Sequence, residues 1–154
     1  MLAKRLAVTK GSFYWHFKDR DALLVSMLQL WRRRATLALI ERLDQQGGSA
    51  SQKLRALLRL PLKGKKAIMA AEIELAIRLW SRRDPRARAA LAEVDELRLR
   101  YIERLFVEGG MTLDEARARA VLAYSYQRVA ATLLSSRDNT LIRACEDLLI
   151  GSVA

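Results

Sequence analysis

The side chains with the most chemical character lie close together near the start of the chain. The segment from Thr9 to Arg20 combines small, cationic and aromatic residues with His16, the single histidine of the sequence. Thr9 can cap a short helix whose first turn contains Lys10 and Ser12. Because free backbone amides and the positive end of a helix attract anions, phosphate is a natural partner of this turn.

The two faces of this short helix differ in chemistry. Phe13 and Phe17 are four residues apart, share a face, and can anchor the helix to a core. Trp15 is expected to contribute to core or hinge packing. The side chains that can reach polar groups outside the helix are Ser12, Tyr14, His16 and Lys18.

A second helix is expected just upstream. Residues 1–7 have helical character, with Leu2 and Leu6 four residues apart, and a tight link follows at residues 7–9. A helix, a tight turn and a polar second helix form the outline of a helix-turn-helix, whose second helix enters the major groove of DNA.

The run TKGSFYWHFKDRDALL, from Thr9 to Leu24, resembles the recognition helix and hinge of TetR/AcrR-family transcriptional regulators. The resemblance implies a homodimer that grips a two-fold symmetric operator in double-stranded DNA, and a small-molecule effector that relieves repression. No cofactor is expected. The residues that the resemblance places at bases, phosphates or the hinge are Thr9, Lys10, Ser12, Tyr14, His16, Lys18 and Arg20.

The head departs from the family pattern in two ways. Ala7 stands in the turn where the family usually has glycine, and Met1 already lies inside the first helix of the motif. Since family members carry a full helix before that point, we expect a loosely packed head and hypothesise that Met1 is an internal start of a longer reading frame. The alternative function is a dimeric helical ligand-binding or interaction module without DNA-binding activity.

The rest of the chain is also expected to be helical. Only two prolines occur, no alternating pattern is long enough to indicate a strand, and glycines separate the apolar-periodic segments. The predicted fold class is all-α. An incomplete helix-turn-helix head over residues 1–24 is followed by a helical-bundle domain for effector binding and dimerisation over residues 25–154.

The first helices of the body are predicted from periodicity. A long helix from about residue 19 to 46 carries a continuous apolar stripe and can link head to body. Shorter helices are expected over about 52–60 and 65–82. The tripled arginines at 32–34 point in different directions on the long helix and are read as a solvated face.

The later helices are predicted from caps. Asp84 and Pro85 fit the cap and first position of a helix that reaches about residue 108. Thr112 and Glu115 have capping-box spacing and open a helix to about residue 135. Asp138 or Asn139 can cap a last helix that ends near Gly151.

Two surfaces of the body are assigned from helical faces alone. A pocket between the middle helices would be apolar and aromatic, although the same residues could simply form core. The candidate pocket residues are Ile73, Ile77, Trp80, Tyr101 and Phe106. The last two helices carry small and apolar stripes that suit a four-helix interface between two copies, or a monomer core. The candidate interface residues are Val121, Ser125, Val129, Thr132, Leu141, Cys145 and Leu148.

Composition limits the other classes of function. Lys and Arg number 28 against 17 Asp and Glu, and the net charge of +11 favours an anionic partner such as nucleic acid. One cysteine and one histidine predict neither an intramolecular disulfide nor a metal site. His16 lacks a nucleophile and an orienting carboxylate, so an enzyme is not expected. Without a membrane span or signal sequence, the predicted location is the cytoplasm.

Overall fold

The computed structural model describes residues 9–62, 64–133, 139–151 and 153. The α-helices in these residues are α1 (Lys10–His16), α2 (Arg20–Arg32), α3 (Ala38–Gln45), α4 (Ala50–Arg59), α5 (Gly64–Ser81), α6 (Pro85–Glu108), α7 (Leu113–Leu133) and α8 (Asn139–Ile150). A π-helical turn, Arg33–Leu37, joins α2 to α3, and a 3-10 turn, Leu60–Leu62, follows α4. The predicted all-α class is confirmed. The helix expected over residues 1–7 and the possible cap Asp138 lie outside the described residues.

Capping residues set the starts of the later helices as predicted. Asp84 accepts a hydrogen bond from the backbone amide of Arg86 at 2.9 Å, with Pro85 in the first turn of α6. Thr112 and Glu115 each accept a hydrogen bond from the other's backbone amide at 3.4 Å. These side chains satisfy amides that have no partner inside the helix.

The start of α4 differs from its prediction. The helix begins at Ala50 rather than near Gln52, because Ser49 and Gln52 form a capping box. The Ser49 hydroxyl accepts from the amide of Gln52 at 3.3 Å, and the Gln52 side chain accepts from the amide of Ser49 at 3.0 Å. The two glycines just before Ser49 have positive φ angles, 66° at Gly47 and 96° at Gly48, which glycine adopts without strain.

The predicted long helix is continuous but contains an irregular turn. From Arg20 to Gln45 the chain stays helical, and only the π turn at Arg33–Leu37 breaks the α register. Thr36 in this turn is 1% exposed, and the carbonyl of Ala35 accepts a hydrogen bond from Arg98 of α6 at 3.2 Å. We call α2, the π turn and α3 together the linking helix.

Two hydrophobic cores lie along the linking helix. The proximal core is formed by Leu28 and Trp31 of α2, Ile77 of α5, and Ala87, Ala90 and Val94 of α6. The distal core is larger and joins α3, α4, α6, α7 and α8. Its members that are 0% exposed are Leu105, Phe106, Ala116 and Ile150.

A buried carboxylate attaches the last helix to the bundle. Glu146 of α8 is 0% exposed and accepts two hydrogen bonds from Arg59 of α4, at 2.6 and 2.7 Å. Arg55, one turn earlier in α4, lies 3.5 Å from the same carboxylate. Because a buried charge is tolerated only when it is paired, this contact fixes how α8 packs on α4.

Candidate nucleic-acid interface

The side chains of α1 that the structure describes are exposed to solvent, whereas those of Lys10, Ser12 and Phe13 lie outside the described part. Tyr14 is 64% exposed, and His16 and the preceding Thr9 are also exposed. Phe17 is half-buried, in agreement with its predicted role as an anchor. Lys10 and Ser12 lie in the first turn of α1, and Phe13 lies in the same helix.

Trp15 corrects the sequence interpretation. It was expected to pack in the core or hinge, but it is 83% exposed and touches His16 edge-on, with the ring centroids 4.7 Å apart. A ring of this size is usually buried in a core or an interface. Because Trp15 is exposed instead, it belongs with the outward-facing residues of α1. The sequence signal was the run of three aromatic rings at 14–16, because three consecutive helix positions cannot all face one core.

The hinge between α1 and α2 presents two cations on a fixed backbone. Asp19 caps α2 by accepting a hydrogen bond from the amide of Ala22 at 2.7 Å, as predicted from its position. Lys18 and Arg20 flank this cap and are exposed. Neither forms an ion pair within the described part of the chain, so both can meet an external anion.

The body contacts the linking helix near its beginning. Arg86 in the first turn of α6 lies 3.3 Å from the carboxylate of Asp21, in the first turn of α2. Further along, Arg32 of α2 pairs with Glu93 of α6. Since Leu28 and Trp31 pack between these two contacts, α2 and α6 run side by side with their N-terminal ends together.

Charged side chains separate the two hydrophobic cores. We call Glu74, Arg78, Asp95, Arg98, Tyr124 and Arg128 the polar layer. On α6 it lies between Val94 of the proximal core and Tyr101 of the distal core. The presence of such a layer could not be read from helical periodicity, which does not register partners on other helices.

Glu74 is the centre of the polar layer. It is only 6% exposed, and both of its oxygens accept hydrogen bonds from Arg98, at 3.0 and 2.9 Å. Arg78 donates to one oxygen at 3.0 Å, and Arg128 lies 2.5 Å from the other. Burial alone would raise the pKa of Glu74, but the charges of Arg98 and Arg128 outweigh it and lower the pKa to about 2.

Asp95 and Tyr124 complete the layer. Arg78 donates two hydrogen bonds to Asp95, at 3.0 and 2.7 Å, and the Tyr124 hydroxyl donates to the same carboxylate at 2.5 Å. The Tyr124 hydroxyl also accepts from Arg98 at 3.0 Å. Arg98 therefore touches Glu74, Tyr124 and the Ala35 carbonyl, and connects the layer to the π turn of the linking helix.

The residues proposed from sequence as a pocket fall on both sides of this layer. Ile77 and the half-buried Trp80 belong to the proximal core, whereas Tyr101 and Phe106 are buried in the distal core. Ile73 is 47% exposed on α5. A shallow groove passes beside Trp80, lined also by Ala76, Leu79 and Arg83.

The residues proposed as a dimer interface lie mostly at the surface. On α7, Val121 is 55% exposed, Val129 is 46% exposed, and Ser125 between them is exposed as well. Thr132 lies in the same helix, but its side chain lies outside the described part of the structure. On α8 the candidates vary: Leu148 is 80% exposed, Leu141 is exposed, and Cys145 is half-buried.

The family comparison concerns the start of the chain. The family model for bacterial regulatory proteins of the tetR family matches residues 1–27. This N-terminal segment is similar to proteins of the tetR family. The resemblance of this segment to TetR-type DNA-binding regulators, seen in the sequence, is thereby confirmed. No curated protein and no solved structure matches the chain.

Two further comparisons concern metal sites and membrane spans. In the described part of the chain, no group of three or more His, Cys, Asp or Glu residues could hold a metal ion. Among the same residues, no helix is both long and apolar enough to cross a membrane.

Proposed function

We propose that the protein is a sequence-specific transcriptional regulator, a ligand-relieved repressor of the TetR type that works in the cytoplasm. The observation that carries the proposal is the tetR-family match of residues 1–27, combined with the exposure of Tyr14 and His16 on α1. Side chains that project from the second helix of a helix-turn-helix reach base edges and phosphates in a major groove.

The contact residues divide into those that read bases and those that set register. Lys10, in the first turn of α1, can donate to guanine acceptors. Thr9, Ser12, Tyr14 and His16 share contacts to base edges and nearby phosphates. Lys18 and Arg20 at the hinge contact the DNA backbone. Phosphate contacts fix the orientation of the protein, whereas base contacts carry the specificity.

The proposed active species is a homodimer on a two-fold symmetric operator. Exposed apolar side chains on the last two helices support this, because Val121, Val129, Leu141 and Leu148 present hydrophobic surface to solvent in the single chain. A second copy related by two-fold symmetry would cover the same residues on both chains. Two reading helices would then face two successive major grooves.

Relief by a small-molecule effector requires the body to move the linking helix. The support is the hydrogen bond from Arg98 to the carbonyl of Ala35, which joins the polar layer to the π turn. π turns often mark functional positions in helices. An effector held near Ile77 and Trp80, or near Tyr101 and Phe106, would press on α6 and shift this contact.

One observation favours the alternative, a dimeric helical ligand-binding or interaction module that does not bind DNA. Trp15, a large apolar side chain, is 83% exposed, so the described part of the body leaves this ring of α1 largely uncovered. A reading helix that does not pack firmly on the body binds DNA more weakly. Part of the binding free energy must then offset the entropy lost when the helix becomes ordered.

The deciding experiment is a fluorescence-anisotropy titration with the DNA that flanks the protein's own gene, against scrambled DNA of equal length. It uses the chain as it stands and a form extended by one helix upstream of Met1. Tight, sequence-selective binding by either form supports the regulator, and binding by the extended form alone supports the internal start. If neither form discriminates between the two DNAs, the regulator is excluded and the ligand-binding module remains.

A further inference from the structure

We propose that the α5–α6 turn, residues 82–84 between α5 and α6, forms a second contact with DNA phosphates beside the reading helix α1. Arg82 and Arg83 are the side chains that make this contact. Both are exposed, and neither forms an ion pair with another part of the described chain. The inference rests on the proposed DNA-binding function, and it adds contacts from the body to those of the head.

The turn lies at the head end of the molecule. Arg86, just after the turn, pairs with Asp21 at 3.3 Å, and Asp21 follows the hinge residues Lys18 and Arg20 directly. Because α2 and α6 run side by side from this pair, the turn cannot move away without disrupting the proximal core, to which Trp31 of α2 and Ala87 of α6 both belong. The cations of the turn and those of the hinge therefore occupy one end of the protein.

The backbone of the turn is ordered. The amides of Arg83 and Asp84 both donate to the carbonyl of Trp80, at 2.9 and 3.1 Å, and the amide of Arg82 donates to Leu79 at 3.4 Å. The Trp80 indole also donates to Asp84 at 3.1 Å. Two arginines held on a fixed turn lose less entropy on binding an anion than arginines on a loose loop.

The carboxylates near the turn are already engaged inside the protein. Asp84 accepts hydrogen bonds from the Arg86 side chain at 3.1 and 2.9 Å, which holds the pKa of Asp84 well below its usual range. Asp21 pairs with the same arginine, and Asp19 caps α2. What remains for an external partner is positive charge from Lys18, Arg20, Arg82 and Arg83.

DNA is the occupant that this charge fits best. A duplex carries one phosphate charge per about 1.7 Å of its axis, so a protein that engages it at α1 has further phosphates within reach of neighbouring cations. Phosphate contacts carry no sequence information, and the turn would strengthen binding to every sequence alike. An anionic membrane surface would attract the same arginines, and the test separates the two.

The test compares two double variants that remove equal charge from the two ends of α5. Arg82→Ala with Arg83→Ala alters the turn, and Lys65→Ala with Lys66→Ala alters two exposed lysines in the first turn of α5. The two pairs are separated by about 25 Å along the helix at 1.5 Å per residue. All four side chains are exposed, so both variants should keep the thermal unfolding midpoint of the parent.

The readout is the dependence of DNA affinity on salt, by anisotropy with the flanking and the scrambled DNA, in whichever form of the chain binds better. A lost phosphate contact lowers the slope of log affinity against log salt by about 0.9. For the turn variant, the magnitude of this slope is expected to be smaller by about 1 to 2. Its affinity is expected to fall by the same factor for both DNAs. The lysine variant should keep the parent slope, and Arg82→Lys with Arg83→Lys should largely restore it.

The outcomes separate this inference from the function on which it rests. Equal slopes for the two alanine variants, with selective binding by the parent, overturn the second contact and leave the regulator intact. Equal loss of slope by both variants means that only net charge matters, and also overturns it. If the parent binds no DNA in either form, both proposals fail. Binding of the parent to vesicles of one-third phosphatidylserine without any binding to DNA would assign the cations to a membrane instead.

Discussion

At the scale of single residues, the most consequential feature is a glutamate where the helical pattern would accept an apolar side chain. Glu74 faces inward from α5 and is held by three arginines, two of which come from other helices. Such an arrangement costs desolvation for every charge, and it stays favourable only while all partners are present. The stability of the bundle therefore depends on keeping both Glu74 and Arg98, whereas a hydrophobic contact would tolerate the replacement of one partner better.

Replacing Glu74 by Gln removes the negative charge and leaves the arginines without compensation. We expect the free energy of unfolding to fall by about 3 kcal/mol, the usual cost of breaking a buried ion pair from one side. Urea unfolding at pH 7 measures it. Glu72→Gln is the matched control, because Glu72 is exposed on the same helix. Equal midpoints for the two variants would contradict the structural role of the polar layer.

The same carboxylate makes stability depend on acid pH. The pKa of Glu74 is lowered from 4.5 to about 2 in the fold, so its contribution is complete above pH 4.5 and is lost as the pH falls towards 2. The full contribution is on the order of 3 kcal/mol at about 1.4 kcal/mol per pKa unit. Urea midpoints between pH 5 and 3 should therefore fall more steeply for Glu72→Gln than for Glu74→Gln. Parallel curves would show that Glu74 does not carry the effect.

Thr36 tests the π turn by a substitution that is expected to stabilise the protein. Thr36 is 1% exposed, and its hydroxyl has no hydrogen-bond partner among the described residues. Valine has nearly the same shape without the hydroxyl, so Thr36→Val is expected to raise the free energy of unfolding by about 1 kcal/mol, the cost of an unsatisfied buried polar group. The exposed Thr140→Val should change it by less than about 0.5 kcal/mol. A destabilised Thr36→Val would mean that the hydroxyl is hydrogen-bonded in solution.

At the scale of elements, features that depend on neighbouring residues could be predicted from the sequence. Features that depend on residues far away along the chain could not. The starts of α6 and α7 follow from caps that lie within a few residues of the helix, and both were predicted correctly. The π turn could not be predicted, because the Arg98 that contacts it lies more than sixty residues further along the chain. The pocket candidates share the same limit: periodicity identifies an inward face but not the depth at which each residue meets a polar layer.

The capping box of α4 offers a test at this scale. Ser49→Ala removes the hydroxyl that accepts from the Gln52 amide, and should destabilise the protein by about 1 kcal/mol in urea unfolding. Ser51→Ala is the control within the same helix, where alanine is the better helix former and no loss is expected. If the two variants unfold alike, α4 does not depend on the box and its start is set by packing of Leu54 in the distal core.

At the scale of the whole molecule, exposed apolar side chains occur on several helices. They include Ile73 and Leu79 on α5 as well as Val121, Val129 and Leu148 on α7 and α8, the helices farthest from the head along the chain. The exposed residues of α7 and α8 are those that a second copy would cover in the proposed dimer. The resemblance to the tetR family is carried by residues 9–24, whereas the body could be predicted only as a helical bundle, because its faces fit a core and an interface equally well.

The proposed dimer can be tested at an exposed apolar residue of α8. Leu148 is 80% exposed on α8, so Leu148→Asp should leave the single chain folded while placing a charge in the proposed interface. By light scattering after gel filtration, the parent should run as a dimer of the 17.5 kDa chain and the variant as a monomer. Leu79→Asp, at a residue 51% exposed on α5, is the matched control and should remain dimeric. A parent that is monomeric at every concentration would contradict the dimer, and a dimer that only Leu79→Asp disrupts would move the interface to α5. Because two half-sites are gripped together, the monomeric variant should also lose selective DNA binding, although each head keeps its contacts.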